Sequence, residues 1–108
     1  MAPAAGQGFV AIEQMKAIDV PVFIVGVASD SIAPVKTNAA HYKKLIPQSK
    51  WYSIPGNAGH YIFLNEGNED LKKNTPTFFK DPKGVDRKKI HHSIISLAVE
   101  FYKQYKII

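Results

Sequence analysis

The sequence predicts an α/β fold, a short parallel strand-helix-strand unit with a flanking C-terminal helix, on three observations. Val22-Phe23-Ile24-Val25-Gly26-Val27 is an unbroken apolar run rich in β-branched residues, the pattern of a parallel strand covered on both faces. A second strand-like run, Lys50-Trp51-Tyr52-Ser53-Ile54, follows after one helix-sized segment, and a strand, helix, strand succession makes a right-handed parallel crossover. Near the end, Ile90, Ile94, Leu97, Ala98, Phe101 and Tyr105 recur at steps of three and four, which is the stripe of a helix that packs on a sheet. With 108 residues, 45% of them hydrophobic, the chain 1–108 holds material for a single domain and one core. A domain of this size only marginally covers its own apolar faces, so self-association is an expected remedy.

Taken in order, the elements carry local signals. Phe9 to Ile18 has apolar residues at helical spacing before the Asp19-Val20-Pro21 break, and predicts a short helix. The first strand, Val22 to Val27, leads through the loop Ala28-Ser29-Asp30-Ser31-Ile32-Ala33-Pro34 into a predicted helix from Val35 to Ile46. Ala39, Tyr42, Leu45 and Ile46 share a face of that helix, and Pro47 stops it. The second strand closes at Pro55-Gly56. From Asn57 to Lys83 the composition shifts to Gly, Asn, Pro, Asp and Lys, which predicts one long irregular segment of the kind that is usually functional or disordered. Asp86 is placed to cap the last helix.

Composition removes several kinds of chemistry. There is no cysteine, so disulfides, thiolate metal sites and a cysteine nucleophile are out, and no cofactor is implied. The formal net charge is +5, but apart from one run of three the thirteen lysines and one arginine lie singly or in pairs, as on a solvated surface. The densest basic stretch, Arg87-Lys88-Lys89, is too small for the basic cluster of a nucleic-acid partner. The start, Met1-Ala2-Pro3-Ala4-Ala5-Gly6, lacks the basic and apolar pattern of a signal peptide. No run approaches the roughly 18 apolar residues of a membrane span, so the chain is expected to be soluble.

The titratable groups that stand out are Asp30, after the first strand, and His60, after the second. Ligand sites in open α/β sheets form beyond the carboxyl ends of the strands. Parallel neighbours therefore bring Asp30 and His60 to one rim, within reach of a carboxylate-imidazole hydrogen bond. Alone, an aspartate between two serines is the pattern of an Asx-turn, and a loop histidine often makes one structural bond. The pairing of the two strand ends is what favours chemistry. Gly56 and Gly59 are expected to serve turns at positive φ, His91 and His92 structural or surface roles, and His41 a helix surface. Trp51 and Tyr52 alternate to opposite faces of their strand, so at least one belongs to the core. Ser29 and Ser31 flank the aspartate with no base positioned to activate them.

The run Val20-Pro21-Val22-Phe23-Ile24-Val25-Gly26, with Asp30-Ser31-Ile32-Ala33-Pro34, resembles the acid loop of α/β-hydrolases, and Ile54-Pro55-Gly56-Asn57-Ala58-Gly59-His60-Tyr61-Ile62-Phe63-Leu64 resembles their histidine loop. Among these the chain is most similar to the bacterial predicted dienelactone hydrolases. The leader Ala2 to Phe9, and Asp81-Pro82-Lys83-Gly84-Val85-Asp86-Arg87 with Ile90-His91, extend the likeness over nearly the whole chain. The resemblance implies a C-terminal fragment of an α/β-hydrolase fold, with Asp30 as triad acid and His60 as general base. The substrate of the parent enzyme would be a small ester or lactone.

In such enzymes the nucleophile precedes the acid and the histidine in the chain. No G-x-S-x-G occurs here, and Gly26-Val27-Ala28-Ser29-Asp30 lacks the closing glycine. The resemblance thus implies a chain without nucleophile or oxyanion hole, inactive by itself. The alternative is a non-catalytic module that self-associates through the exposed edge of the Val22 to Val27 strand.

Overall fold

The computed structural model describes residues 12–106. Its centre is a parallel pair, β1 (Phe23–Val27) and β2 (Lys50–Ile54), in register from Phe23 opposite Lys50 to Val27 opposite Ile54. Among the described residues the sheet has these two strands alone. The chain is thus mixed α/β around a short parallel unit, as predicted.

Residues paired across a parallel ladder point to the same face, so the register sorts the sheet. On one side, Val25, Val27, Tyr52 and Ile54 pack with Ile62, Ile90 and Ile94, and Phe23 stacks on Phe101 with ring centroids 5.5 Å apart. The last helix, α4 (Arg87–Gln104), covers this face. On the other side lie Ile24 and Gly26, under α1 (Ala39–Leu45). A methyl group at Gly26 would come within 2.8 Å of Ala39 Cβ, so glycine here sets how closely helix and strand approach. A satellite cluster of Met15, Leu45 and Ile46, flanked by Ile18, Val22 and Tyr42, closes the opposite end.

Several elements depart from expectation. The helix predicted from Val35 to Ile46 is two pieces, a 3-10 turn at Val35–Thr37 and then α1, separated by Asn38 at φ −124° and ψ −92°. Asn38 is buried, and its Nδ2 donates to Pro34 O at 2.9 Å. A side chain that bonds the local backbone in this way competes with helix continuation. Of the helix predicted over Phe9 to Ile18, residues 9–11 lie outside the described region and Ile12–Met15 forms a 3-10 turn.

The segment from Asn57 to Lys83 is not one irregular loop. It contains a 3-10 turn (His60–Phe63), α2 (Glu69–Asn74) and α3 (Pro76–Phe79). Asn68 caps α2 by accepting from Leu71 N at 2.9 Å, and Pro76 begins α3, where a missing N–H costs nothing. The polar residues read as loop composition are therefore start signals for short helices. In α4, Asp86 is the cap predicted, its Oδ1 accepting from Lys89 N at 3.1 Å. Ile94 and Phe101 are buried on its inner stripe, while Tyr105 is exposed at the frayed end and packs edge-on against Phe101.

Candidate active site

The two strand ends meet as the parallel register requires. Ala28 N donates to Ile54 O at 2.9 Å, extending the ladder past β1, and Ser29 Oγ donates to Gly56 O at 2.6 Å, tying the two loops together. Gly56 takes φ +81°, the turn conformation expected of it, whereas Gly59 is extended at φ −100° and needs no glycine on conformational grounds.

Asp30 is buried, its side chain 1% exposed, and both carboxylate oxygens are used. Oδ1 accepts from Ile32 N at 2.9 Å and Ala33 N at 2.7 Å, which forms the local turn. Oδ2 lies 2.8 Å from His60 Nδ1. The two readings of Asp30, turn residue and imidazole partner, are thus both realised, one on each oxygen. An ionised carboxylate only accepts, so His60 carries a proton on Nδ1, and in the neutral ring Nε2 is then the lone pair. His60 Nε2 makes no hydrogen bond among the described residues, and the side chain is 21% exposed. Such an imidazole can take a proton from a hydroxyl brought to Nε2.

Aromatic rings wedge the histidine. Tyr61 packs edge-on against His60 at 5.1 Å, and Phe78 of α3 packs edge-on against Tyr61 at 4.7 Å. Beneath them sits a residue that sequence reasoning assigned to the solvated surface, Arg87. It is buried at 6% exposure. Its guanidinium forks onto Asp81 at 3.0 and 2.8 Å and also donates to the carbonyls of Phe78, Leu64 and Asn65. The only sequence signal was its being the sole arginine among fourteen basic residues, since a planar five-donor fork suits convergent carbonyls better than an ammonium does.

The other candidates fall into place individually. His91 is half-buried, with Nε2 2.6 Å from Ile62 O, while His92 is exposed. His41 is half-buried on α1 rather than fully at its surface. Tyr52 packs against the core and Trp51 is 37% exposed on the opposite face. Ser29 is committed to Gly56, and Ser31 is exposed with no bond to His60 among the described residues.

A cavity of about 210 Å³ beside the histidine is lined by His60, Tyr61, Thr77, Lys80 and neighbours. That is below the roughly 300–1,000 Å³ of ordinary small-molecule sites. A larger groove of about 580 Å³, between Glu66, Lys72, Asp86 and Lys88, includes neither Asp30 nor His60. It has room, but it lies away from the paired carboxylate and imidazole. Among the described residues no three His, Asp or Glu side chains converge to hold a metal ion, and no helix is long and apolar enough to cross a membrane.

Fold and site together define a class: a mixed α/β chain bearing a buried-acid and imidazole pair at the carboxyl rim of a parallel sheet. Comparison with models of known families, with curated proteins and with solved structures finds no match.

Proposed function

We propose that this chain is the C-terminal portion of an α/β-hydrolase of the dienelactone hydrolase type, supplying the acid and base of a serine triad for cleavage of a small ester or lactone. The observation that carries the reading is the 2.8 Å contact between His60 Nδ1 and the buried Asp30, with Nε2 unused. In the mechanism, His60 Nε2 removes the proton of a serine hydroxyl as it attacks the substrate carbonyl. Asp30 holds the ring in the productive tautomer and stabilises the imidazolium. The imidazolium then protonates the leaving alcohol, and a second cycle with water releases the acid. On this reading the nucleophile and oxyanion donors are supplied by a segment other than these 108 residues, which contain no G-x-S-x-G.

The test is hydrolysis of a short-chain p-nitrophenyl ester by the purified chain and by His60→Ala, with fluorophosphonate labelling in parallel. No turnover and no labelled serine are expected from the folded chain, and an in-frame G-x-S-x-G segment upstream in the genome is expected to restore both when joined to it. Turnover that depends on His60 in the chain alone would sink the missing-nucleophile reading.

A second reading, a self-associating module, has its own observation. Val22 O accepts from Lys50 N and Ala28 N donates to Ile54 O, so by alternation the even-numbered residues of β1 face β2. Phe23 and Val25 therefore direct their backbone N–H groups to an edge that no strand covers among the described residues. The edge carries no charge to discourage pairing, unlike β2 with Lys50. Light scattering across a concentration series is expected to show a dimer; a monomer throughout removes this reading.

A further inference from the structure

α4 reaches back to the histidine turn through a second imidazole. We propose that His91 is a positioning residue for His60, an inference that rests on the dyad reading above. His91 Nε2 lies 2.6 Å from Ile62 O. A carbonyl only accepts, so this nitrogen carries a proton. Ile62 stands two residues after His60 in the same 3-10 turn, which closes through Ile62 N to Gly59 O and Leu64 N to Tyr61 O. Among the described residues no backbone N–H takes the Ile62 carbonyl, so His91 satisfies a group that the short turn leaves over.

The same face of α4 also holds the Ile62 side chain. Ile94, one helical step beyond His91, packs in the core with Ile62, and both are nearly inaccessible. Ile62 is thus gripped at its side chain and its carbonyl by one helix. The sheet orients the His60 ring through Asp30, and α4 fixes the backbone that carries the ring. The two imidazoles are held as opposite tautomers, His60 protonated on Nδ1 and His91 on Nε2. Adjacent His92 is exposed and lacks such a contact, which makes it an internal control.

The experiment is long-range proton-nitrogen NMR of the histidine rings in the full chain, for the unmodified protein, His91→Leu, His91→Gln and His92→Leu. The unmodified chain is expected to show His91 as the Nε2–H form and His60 as the Nδ1–H form with a low-field proton. His91→Leu loses that His60 proton signal to solvent exchange while the fold persists. His91→Gln, whose amide can still donate to the carbonyl, retains it, and His92→Leu leaves it unchanged. A neutral His91 in the Nδ1–H form, or an unchanged His60 signal in folded His91→Leu, overturns the inference alone. If His91→Leu does not fold, the His91 tautomer and the His91→Gln spectrum decide. His60 in the Nε2–H form in the unmodified chain overturns the dyad, and this inference with it.

Discussion

Asp30 divides its oxygens between its own turn and the His60 ring, and substitutions separate the two. In Asp30→Asn the remaining carbonyl oxygen still accepts from Ile32 and Ala33, but an amide NH₂ now faces His60 Nδ1. The imidazole must then accept there, so its proton moves to Nε2 and that lone pair is lost; ring NMR is expected to show the tautomer exchange with a stability loss of about 1 kcal/mol. Asp30→Ala removes the turn acceptor too, and leaves a buried N–H unpaired. Denaturant unfolding is expected to register about 1–3 kcal/mol, more than for the asparagine variant. Gly26 makes a prediction of another kind. Gly26→Ala drives a methyl group to 2.8 Å from Ala39 Cβ, and overpacking of this sort costs about 1–3 kcal/mol by the same measurement.

At the scale of elements, the segment after His60 is held less by its own helices than by Arg87. α2 and α3 have six and four residues, too short to stand alone, yet the carbonyls of Leu64 and Asn65 ahead of them, that of Phe78 within α3, and Asp81 converge on one guanidinium. Arg87→Met leaves the half-buried Asp81 carboxylate without its partner. A loss on the order of 3 kcal/mol is expected, with faster amide hydrogen exchange over residues 64–82 before the sheet opens. Arg87→Lys keeps the charge but cannot fork, and is expected to recover only part of the loss. Equal exchange in Arg87→Met and the unmodified chain would show that the segment is anchored elsewhere. Because Phe78, Tyr61 and His60 stack in series, loosening this clamp also frees the imidazole.

For the molecule as a whole, the governing fact is a sheet that, among the described residues, has two strands, with helices on both faces and no further strand at its edges. The chain measures 45 × 32 × 19 Å, a slab about three layers thick. Val25→Pro tests the edge of β1. Its N–H points away from β2, so proline there leaves the β1–β2 ladder intact while removing a donor that an added strand needs. On the self-association reading the variant is expected to remain folded by circular dichroism and to elute as a monomer, and the unmodified chain as a dimer. An unchanged dimer moves the interface away from this edge.

What the sequence determined by itself is local and periodic. The β-branched run of β1, the stripe of α4, the Asp86 cap and the loop positions of Asp30 and His60 are legible because each depends on neighbours three or four residues away, or on alternation. The composition that hid α2 and α3 misled for the same reason, since caps and loop residues are the same amino acids. Tertiary structure decided what needs partners distant in the chain. Asp30 spends one oxygen on its turn and one on a histidine thirty residues later. Arg87 and His91 leave the solvent to satisfy carbonyls 22 and 29 residues away, at Asn65 and Ile62. Burial of a polar side chain is settled by whether distant backbone groups converge on it, and no window of sequence contains that information.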